Sequence, residues 1–235
     1  MRARLVEFAA KHFGVAEAAV RFTPDGVVAG AERVSFARLC QLAYLARVSL
    51  SATGFYATPA IHYDRASHTG RPFYYFAYGA AVAEVALDTL TGEHKVLAVD
   101  ILHDVGKSLN PAIDLGQIEG GFIQGMGWLT TEELVFDDQG RLLTHAPSTY
   151  KIPTASDRPA RMKIELWAPG ENAEPTIHRS KAVGEPPFML ANAVFCALTQ
   201  AVAASVPGGG FPALDAPATP ERILAAIAAL RVGHG

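Results

Sequence analysis

The stretch AYGAAVAEVALDTLTGEHKVLAVDILHD, residues 77–104, decides the fold class of this chain. Apolar residues alternate with other residues on both sides of a Thr-Gly turn, and Val82 and Val85 before the turn have counterparts at Val96 and Val99 after it. Alternation with a period of two around a glycine-containing turn is typical of two antiparallel strands. The sequence therefore predicts a long β-hairpin near the middle of the chain.

Helical patterns lie on both sides of this hairpin. Apolar residues spaced three and four apart predict helices over about residues 3–12, 36–46, 112–134, 188–206 and 220–230. Ser35 is suited to cap the second of these helices at its start. Shorter β patterns predict strands over residues 20–22, 26–29 and 162–167, and a second hairpin around residues 137–140. Strands and helices do not alternate regularly, so the predicted fold class is α+β, a mixture of strands and helices.

Composition favours a globular protein with a large core. Hydrophobic residues make up 50% of the chain and charged residues 18%, and the formal net charge is -3. No cluster of Lys and Arg stands out, so nucleic acid and anionic membranes are not expected as partners. The apolar segment 188–206 is long enough to cross a membrane, but it contains Asn192, Thr199 and Gln200 and has no flanking Lys or Arg. A buried core helix is therefore predicted there.

The cysteines and the start of the sequence point to the cytoplasm. Cys40 and Cys196 both lie in apolar helical patterns, where a reduced core cysteine is the usual role. A basic segment followed by an apolar one, as in a secretory signal, does not occur near Met1. The sequence therefore predicts a cytoplasmic protein.

Two motifs with possible chemistry can be set aside. Gly106-Lys107-Ser108 resembles the end of a phosphate-binding loop, but the first glycine of that motif would fall on Ile101. The eight histidines are scattered, and no His/Cys spacing is typical of a zinc site. No metal-ligating residue is predicted in this chain.

The segment DLGQIEGGFIQGMGW, residues 114–128, places many glycines in a predicted helix. Each glycine costs a helix about 1 kcal/mol relative to alanine, so close approach to the backbone is the expected reason for them. Gln117, Gly121 and Gln124 share one face, and amides on that face can donate and accept hydrogen bonds to a polar ligand. Tight packing of the helix with solvated glutamines is the alternative that the spacing leaves open.

The segment SKAVGEPPF, residues 180–188, places Glu185 between a glycine and two prolines. Gly184 leaves room beside the carboxylate, and Pro186 and Pro187 are expected to hold Glu185 outside the helical region and to begin a helical turn. A carboxylate buried at that position is a candidate general base. The alternative is an acidic residue that only stabilises a helix N-terminus.

These segments together resemble the molybdenum-cofactor-binding subunit of the xanthine dehydrogenase family. The resemblance follows the family's order over nearly the whole chain and is looser over the first forty-odd residues. The motifs that carry it are RVSLSATGFYATP (47–59), the hairpin segment through residue 116, GQIEGGFIQGMGW (116–128), PSTYKIP (147–153), SKAVGEPPF (180–188) and LDAPATPERI (214–223).

This resemblance implies a fold and a site. Residues 1–235 would form one C-terminal segment of a larger molybdopterin-binding domain, with a helix–strand–helix lead-in over about residues 1–46 and a main body over residues 47–235. Glu185 would act as the general base in the hydroxylation of xanthine or hypoxanthine at a ring carbon, with water as the oxygen source. Gln117 would form a hydrogen bond to the molybdenum–molybdopterin cofactor.

The resemblance also implies partners. Iron–sulfur clusters, FAD and NAD would act only through partner chains or domains, in an assembly with the upstream part of the same subunit and an iron–sulfur/FAD-binding subunit. A homo-oligomer of such heterodimers is expected. The residues that hold the purine are expected upstream, so the chain alone is expected to be inactive. Two alternatives stay open: a molybdenum hydroxylase of the aldehyde oxidase type, and a non-catalytic remnant or assembly module.

Overall fold

The computed structural model describes residues 1–232. The chain divides into two compact units, residues 1–59 and residues 60 onward. The sequence-based boundary near residue 46 therefore falls inside the first unit. The reason is that Val48 and Leu50 pack against that unit's core and Val48 N–H donates to the carbonyl of Ala43.

The first unit combines two helices with a small antiparallel sheet in the order β1-β2-β3. Its elements are α1 (Arg2–Phe13), β1 (Val20–Thr23), β2 (Gly26–Ala29), β3 (Glu32–Val34) and α2 (Phe36–Leu45). Leu5, Val27 and Leu39 lie in its core. The predicted cap is confirmed, because Ser35 Oγ accepts a hydrogen bond from Arg38 N–H at 3.1 Å.

The second unit is built on the predicted hairpin. Its elements are β4 (His62–Asp64), β5 (Thr69–Arg71), β6 (Gly79–Leu87), β7 (His94–His103), α3 (Pro111–Thr130), β8 (Arg161–Leu166), α4 (Asn192–Ser205) and α5 (Pro220–Val232). Strands β6 and β7 pair antiparallel, which confirms the hairpin, and β8 lies parallel to β7 on its other side. A parallel neighbour needs a long crossover connection, and α3 lies within it. The α+β fold class is confirmed.

One core holds the helices of the second unit on the hairpin sheet. Strand β7 contributes Val99, which is fully buried, while Ile118 and Phe122 of α3 are buried in the same cluster. Leu198 of α4 and Ile223 of α5 complete the centre of this cluster. The sheet therefore fixes the position of α3, the helix that carries the glycine-rich motif.

The long apolar segment is interrupted and only partly buried. A 3₁₀ turn over Pro186–Ala191 precedes α4, and the segment Pro186–Ser205 has a mean hydropathy of 1.6 but is only 28% buried. Val194, Leu198 and Val202 are fully buried. The predicted buried core helix is therefore only partly confirmed: one face packs on the core, and the remaining residues are half-buried or exposed.

Two predicted boundaries differ from the structure near residue 130. Helix α3 ends at Thr130 rather than at residue 134, because the N–H groups of Thr131 and Glu132 both bond the carbonyl of Gly127 and close the last turn. The predicted second hairpin is present but short: an isolated antiparallel bridge joins Phe136 and Leu142, and the Leu143 N–H donates to the Val135 carbonyl at 2.7 Å. Its polar turn is also stabilised by the Asp137 carboxylate, which accepts hydrogen bonds from the Gln139 and Arg141 N–H groups.

Candidate active site at the glycines of α3 and the Glu185 loop

The start of α3 is fixed by local chemistry. Asn110 Oδ1 accepts a hydrogen bond from the Ile113 N–H at 3.4 Å, and Pro111 occupies the first turn, where a missing N–H costs nothing. The helix then runs with Ile118 and Phe122 in the core. Gln117, one residue before Ile118, therefore points away from that core and is exposed.

Two glycines of α3 are required by the segment that carries Glu185. A Cβ atom on Gly125 would lie 2.2 Å from the carbonyl oxygen of Phe188, and one on Gly121 would lie 2.9 Å from the carbonyl oxygen of Gly184. Any larger residue would push the backbone of residues 184–188 off the helix. The tight-packing explanation is thus correct for Gly121 and Gly125.

Gly116 and Gly120, two further glycines of the motif, lie on an open side of α3. Ideal Cβ positions on Gly116 and Gly120 have no heavy atom within 4 Å beyond their chain neighbours and the helix backbone. Both glycines are exposed, as are Gln117 and Gln124. Packing within the described part of the chain does not explain these two glycines, and they leave room for a group that approaches α3 closely.

The structure brings Gln117 next to the Glu185 loop. Gln117 Oε1 lies 3.4 Å from the position that a Cβ on Gly184 would occupy, so the amide lies beside the residue that precedes Glu185. Three residues after Glu185, Phe188 makes an edge-to-face contact with Trp128 of α3, with ring centroids 4.9 Å apart. The two residues predicted for the site therefore belong to one region, while their chemical roles stay predictions.

Glu185 itself differs from expectation in two ways. Its side chain is exposed rather than buried, and its backbone adopts helical angles, with φ -102° and ψ -31°. The residue before a proline is biased against this region, but the bias is a preference that local packing can outweigh. Here the Phe188 N–H donates to the Glu185 carbonyl at 2.9 Å and closes the first turn of the 3₁₀ segment.

Residues that sequence reasoning missed hold the other side of this loop. Lys181 Nζ contacts Asp104 Oδ2 at 2.6 Å, and the Ala182 N–H donates to Tyr75 Oη at 2.8 Å. Ser180 forms an isolated antiparallel bridge with Gly106. The available signal was Lys181 itself, a charged residue inside the motif that also contains Glu185.

A buried histidine lies next to this ion pair in sequence. His103 at the end of β7 is 1% exposed, and neither of its ring nitrogens has a hydrogen-bond partner in the structure. Burial lowers the pKa of His103, while Asp104 acts to raise it and Lys181 to lower it. His103 therefore stays neutral in the folded chain at neutral pH and acts as a core residue.

Within residues 1–232, no three His, Cys, Asp or Glu side chains come together in a way that could hold a metal ion. In the same residues, the side chains of Gln117 and Glu185 form no hydrogen bond or ion pair, so both remain available to a bound molecule. The arrangement offers an amide, a carboxylate and an open helix face, which suits an organic ligand with hydrogen-bonding groups.

Comparisons with known proteins agree with this geometry. Residues 1–159 match the model of the molybdopterin cofactor-binding domain family. Xanthine dehydrogenase from Oryza sativa subsp. japonica is 52% identical over 200 residues, which cover 80% of this chain and 14% of that protein. Xanthine dehydrogenase/oxidase from Rattus norvegicus is 50% identical over 186 residues, 77% of this chain and 14% of that protein.

A solved structure extends the likeness over almost the whole chain. Quinoline 2-oxidoreductase from Pseudomonas putida 86 matches with a TM-score of 0.61 and 27% identity, over 97% of this chain and 28% of that one. The chain thus spans about a seventh of the length of its curated relatives and part of a larger structural neighbour. The predicted family resemblance is confirmed: this chain belongs to the molybdopterin cofactor-binding domain family.

Proposed function

We propose that this chain supplies the general base and one cofactor-contacting amide to the active centre of a molybdenum hydroxylase of the xanthine dehydrogenase type. The observation that carries the proposal is the position of the Gln117 amide beside Gly184, one residue before Glu185, on an open face of α3. About half of the residues in the matched segment are identical to those of xanthine dehydrogenases.

The residues present fit the molybdenum–molybdopterin cofactor. The open space beside Gly116 and Gly120 admits a bulky group against the helix, and the free amide of Gln117 can donate to an oxo or pterin oxygen and accept from a pterin N–H. Bound there, the cofactor would supply the two-electron redox chemistry and the activation of water. Gln117 would hold it by hydrogen bonding, without acting as a metal ligand.

Glu185 would move a proton. Its exposed carboxylate lies at the start of the 3₁₀ segment, where a fixed backbone holds it while its oxygens stay accessible. As general base it would accept the proton of the water-derived nucleophile as the oxygen attacks an electron-poor ring carbon. A general base in position contributes typically about 10²–10⁴-fold to a rate.

The proposed substrate is a purine, xanthine or hypoxanthine. Support comes from the two relatives described as xanthine dehydrogenase and from the quinoline 2-oxidoreductase neighbour, whose name also refers to a nitrogen-containing aromatic ring. Phe188, three residues after Glu185, offers aromatic surface to such a ring. An aldehyde remains the substrate of the alternative, aldehyde oxidase type.

Partners complete this proposal. The relatives are about seven times longer than the matched segment, so the remaining parts of the active centre would come from other segments or chains. Iron–sulfur clusters, FAD and NAD, held by those other segments or chains, would receive the electrons. The complete assembly would form an oligomer, and the isolated chain would show no turnover. Cys40 and Cys196 are both free thiols, which is consistent with the cytoplasm as the proposed location.

A chimera tests the proposal. The 200-residue segment of the Oryza sativa enzyme that matches this chain is replaced by the residues of this chain, and molybdenum content and xanthine turnover are measured. We expect a molybdenum-loaded enzyme that oxidises xanthine. Gln117→Ala is expected to lower the molybdenum content of the chimera. Gln124→Ala, on the same exposed face, is expected to leave the molybdenum content unchanged. Turnover of aldehydes but not purines would favour the second substrate class. A folded chimera without molybdenum would identify the chain as a non-catalytic module.

A further inference from the structure

The ion pair between Lys181 and Asp104 is the most deeply buried one in the described chain. Their side chains are 6% and 17% exposed. In every other ion pair within residues 1–232, one partner is at least 37% exposed. We propose that Lys181 and Asp104 are positioning residues that fix the Glu185 loop against α3; the catalytic meaning of this role rests on the proposed function.

The lysine is held from several directions at once. Lys181 Nζ lies 2.6 Å from Asp104 Oδ2, donates to the carbonyl of Phe76 at 2.9 Å and lies 5.0 Å from the centre of the Tyr78 ring. Its backbone N–H donates to the carbonyl of Val105 at 2.9 Å. Side chain and backbone of Lys181 are therefore both attached to the segments that flank the hairpin sheet.

The Asp104 carboxylate is also held by more than one contact. Asp104 follows β7 directly, and its Oδ1 accepts the Gly106 N–H at 2.8 Å while Oδ2 faces Lys181. Gly106 in turn pairs with Ser180, and the Lys107 N–H donates to the Arg179 carbonyl at 2.9 Å. The end of β7 and the start of the Glu185 loop thus form one hydrogen-bonded unit around the ion pair.

Glu185 lies between two attachment points. On the N-terminal side, Lys181 and Ala182 are tied to Asp104 and Tyr75. On the C-terminal side, the backbone of residues 184–188 rests on the glycines of α3. Only Val183 and Gly184 separate Ala182 from Glu185, so the ion pair limits where the carboxylate can lie.

A buried ion pair can fix the position of a loop although it adds little to the free energy of unfolding. The desolvation of two charges offsets most of their attraction, so such a pair adds little net stability compared with well-packed apolar residues. Removal of one partner leaves the other charge buried and unpaired. A displaced loop would therefore leave both charges buried without a partner, which favours the one loop position in which they meet.

The first experiment reports on the position of the Glu185 loop and needs no enzyme assay. Hydrogen exchange of single backbone amides is followed by NMR in the isolated chain, at Ala182 and Phe188 in the loop and at Val99 in β7. We expect Lys181→Met to speed exchange at the two loop amides by at least about tenfold more than at Val99. The control Arg222→Met removes another ion pair, with Glu133, and is expected to leave the loop amides unchanged relative to Val99. The proposal would be overturned if Lys181→Met sped hydrogen exchange equally at all three amides, or changed it at none of them.

The second experiment separates positioning from stability in the chimera described above. We expect Lys181→Met to lower kcat by about 100-fold, as a misplacement near 1 Å can, with KM changed by less than about threefold. The double variant Lys181→Met/Asp104→Asn removes both charges and keeps an oxygen that can accept the Gly106 N–H, so stability should return while kcat stays low. Recovery of kcat together with stability would show a purely structural role and refute the proposal. An inactive parent chimera would count against the proposed function alone, since the exchange experiment still decides on the loop.

Discussion

Replacement of Gly125 by alanine tests the packing that brings α3 and the Glu185 loop together. The new Cβ would lie 2.2 Å from the Phe188 carbonyl oxygen and 3.0 Å from the Ala191 Cβ. Ordinary contact begins near 3.4 Å, so helix and loop would have to separate by roughly 1 Å. Overpacking of this kind costs about 1–3 kcal/mol.

Gly120→Ala is the matched control on the same helix. Its Cβ would meet no heavy atom within 4 Å, so only the gain in helix propensity, about 0.5–1 kcal/mol, remains. That gain applies to both variants and cancels in their difference. We therefore expect Gly125→Ala to be less stable than Gly120→Ala by about 1–3 kcal/mol.

Urea unfolding followed by tryptophan fluorescence measures this difference. Both tryptophans, Trp128 and Trp167, belong to the second unit, so the signal reports the unit that contains α3. With a slope of about 1–3 kcal/mol/M, a 2 kcal/mol difference separates the two midpoints by about 1 M. Equal midpoints, or a higher midpoint for Gly125→Ala, would refute the close contact between Gly125 and the loop.

Three further predictions concern single interactions in the second unit. Burial lowers the pKa of His103, so the unfolded state binds a proton first and the free energy of unfolding falls as the pH drops below about 6.5, by at most about 1.4 kcal/mol per pH unit. His103→Met should remove this part of the pH dependence, measured by urea unfolding between pH 7.5 and 5.5. The same dependence of the unfolding free energy on pH in His103→Met and in the parent chain would contradict the prediction. Burial lowers the pKa of His94 as well, so the pH dependence that comes from His94 should remain in His103→Met. His94→Gln is the comparison variant that measures the part due to His94. The Tyr150 phenol donates to Glu132 at 2.6 Å, which raises the pKa of Tyr150; Glu132→Gln should bring that pKa down in an ultraviolet titration, and an unchanged curve would show that the bond is not formed in solution. Asn110→Ala removes the cap of α3 and should lower stability by about 0.5–2 kcal/mol, whereas Asn110→Ser should retain most of it.

Local chemistry made much of the fold predictable. The period-two pattern around the Thr-Gly turn gave the β6–β7 hairpin, and Ser35 gave the start of α2. The parallel position of β8 was not predictable in the same way, because its register depends on α3 and the long connection rather than on its own residues. The extent of burial of residues 188–206 also depends on which neighbours cover the helix, which its composition does not reveal.

The candidate site shows the same division. Glycine spacing indicated a close approach to α3, and the structure assigns Gly121 and Gly125 to packing while Gly116 and Gly120 stay open. Exposure of Glu185 was missed, because the apolar sequence after it suggested a covered position. The partner of Lys181 was missed as well, since Asp104 is 77 residues away in sequence and meets it only through the fold.

Turnover of the Glu185→Gln variant in the chimera tests the central claim most directly. Glutamine keeps the size of the side chain but cannot accept the proton, so xanthine turnover should fall by about 10²–10⁴-fold while the molybdenum content is unchanged. Glu221→Gln is the control, because Glu221 is also an exposed glutamate in the first turn of a helix beside a proline, in α5, and it should retain full turnover. Turnover of Glu185→Gln within a few-fold of the parent chimera would contradict the assignment of Glu185 as the general base.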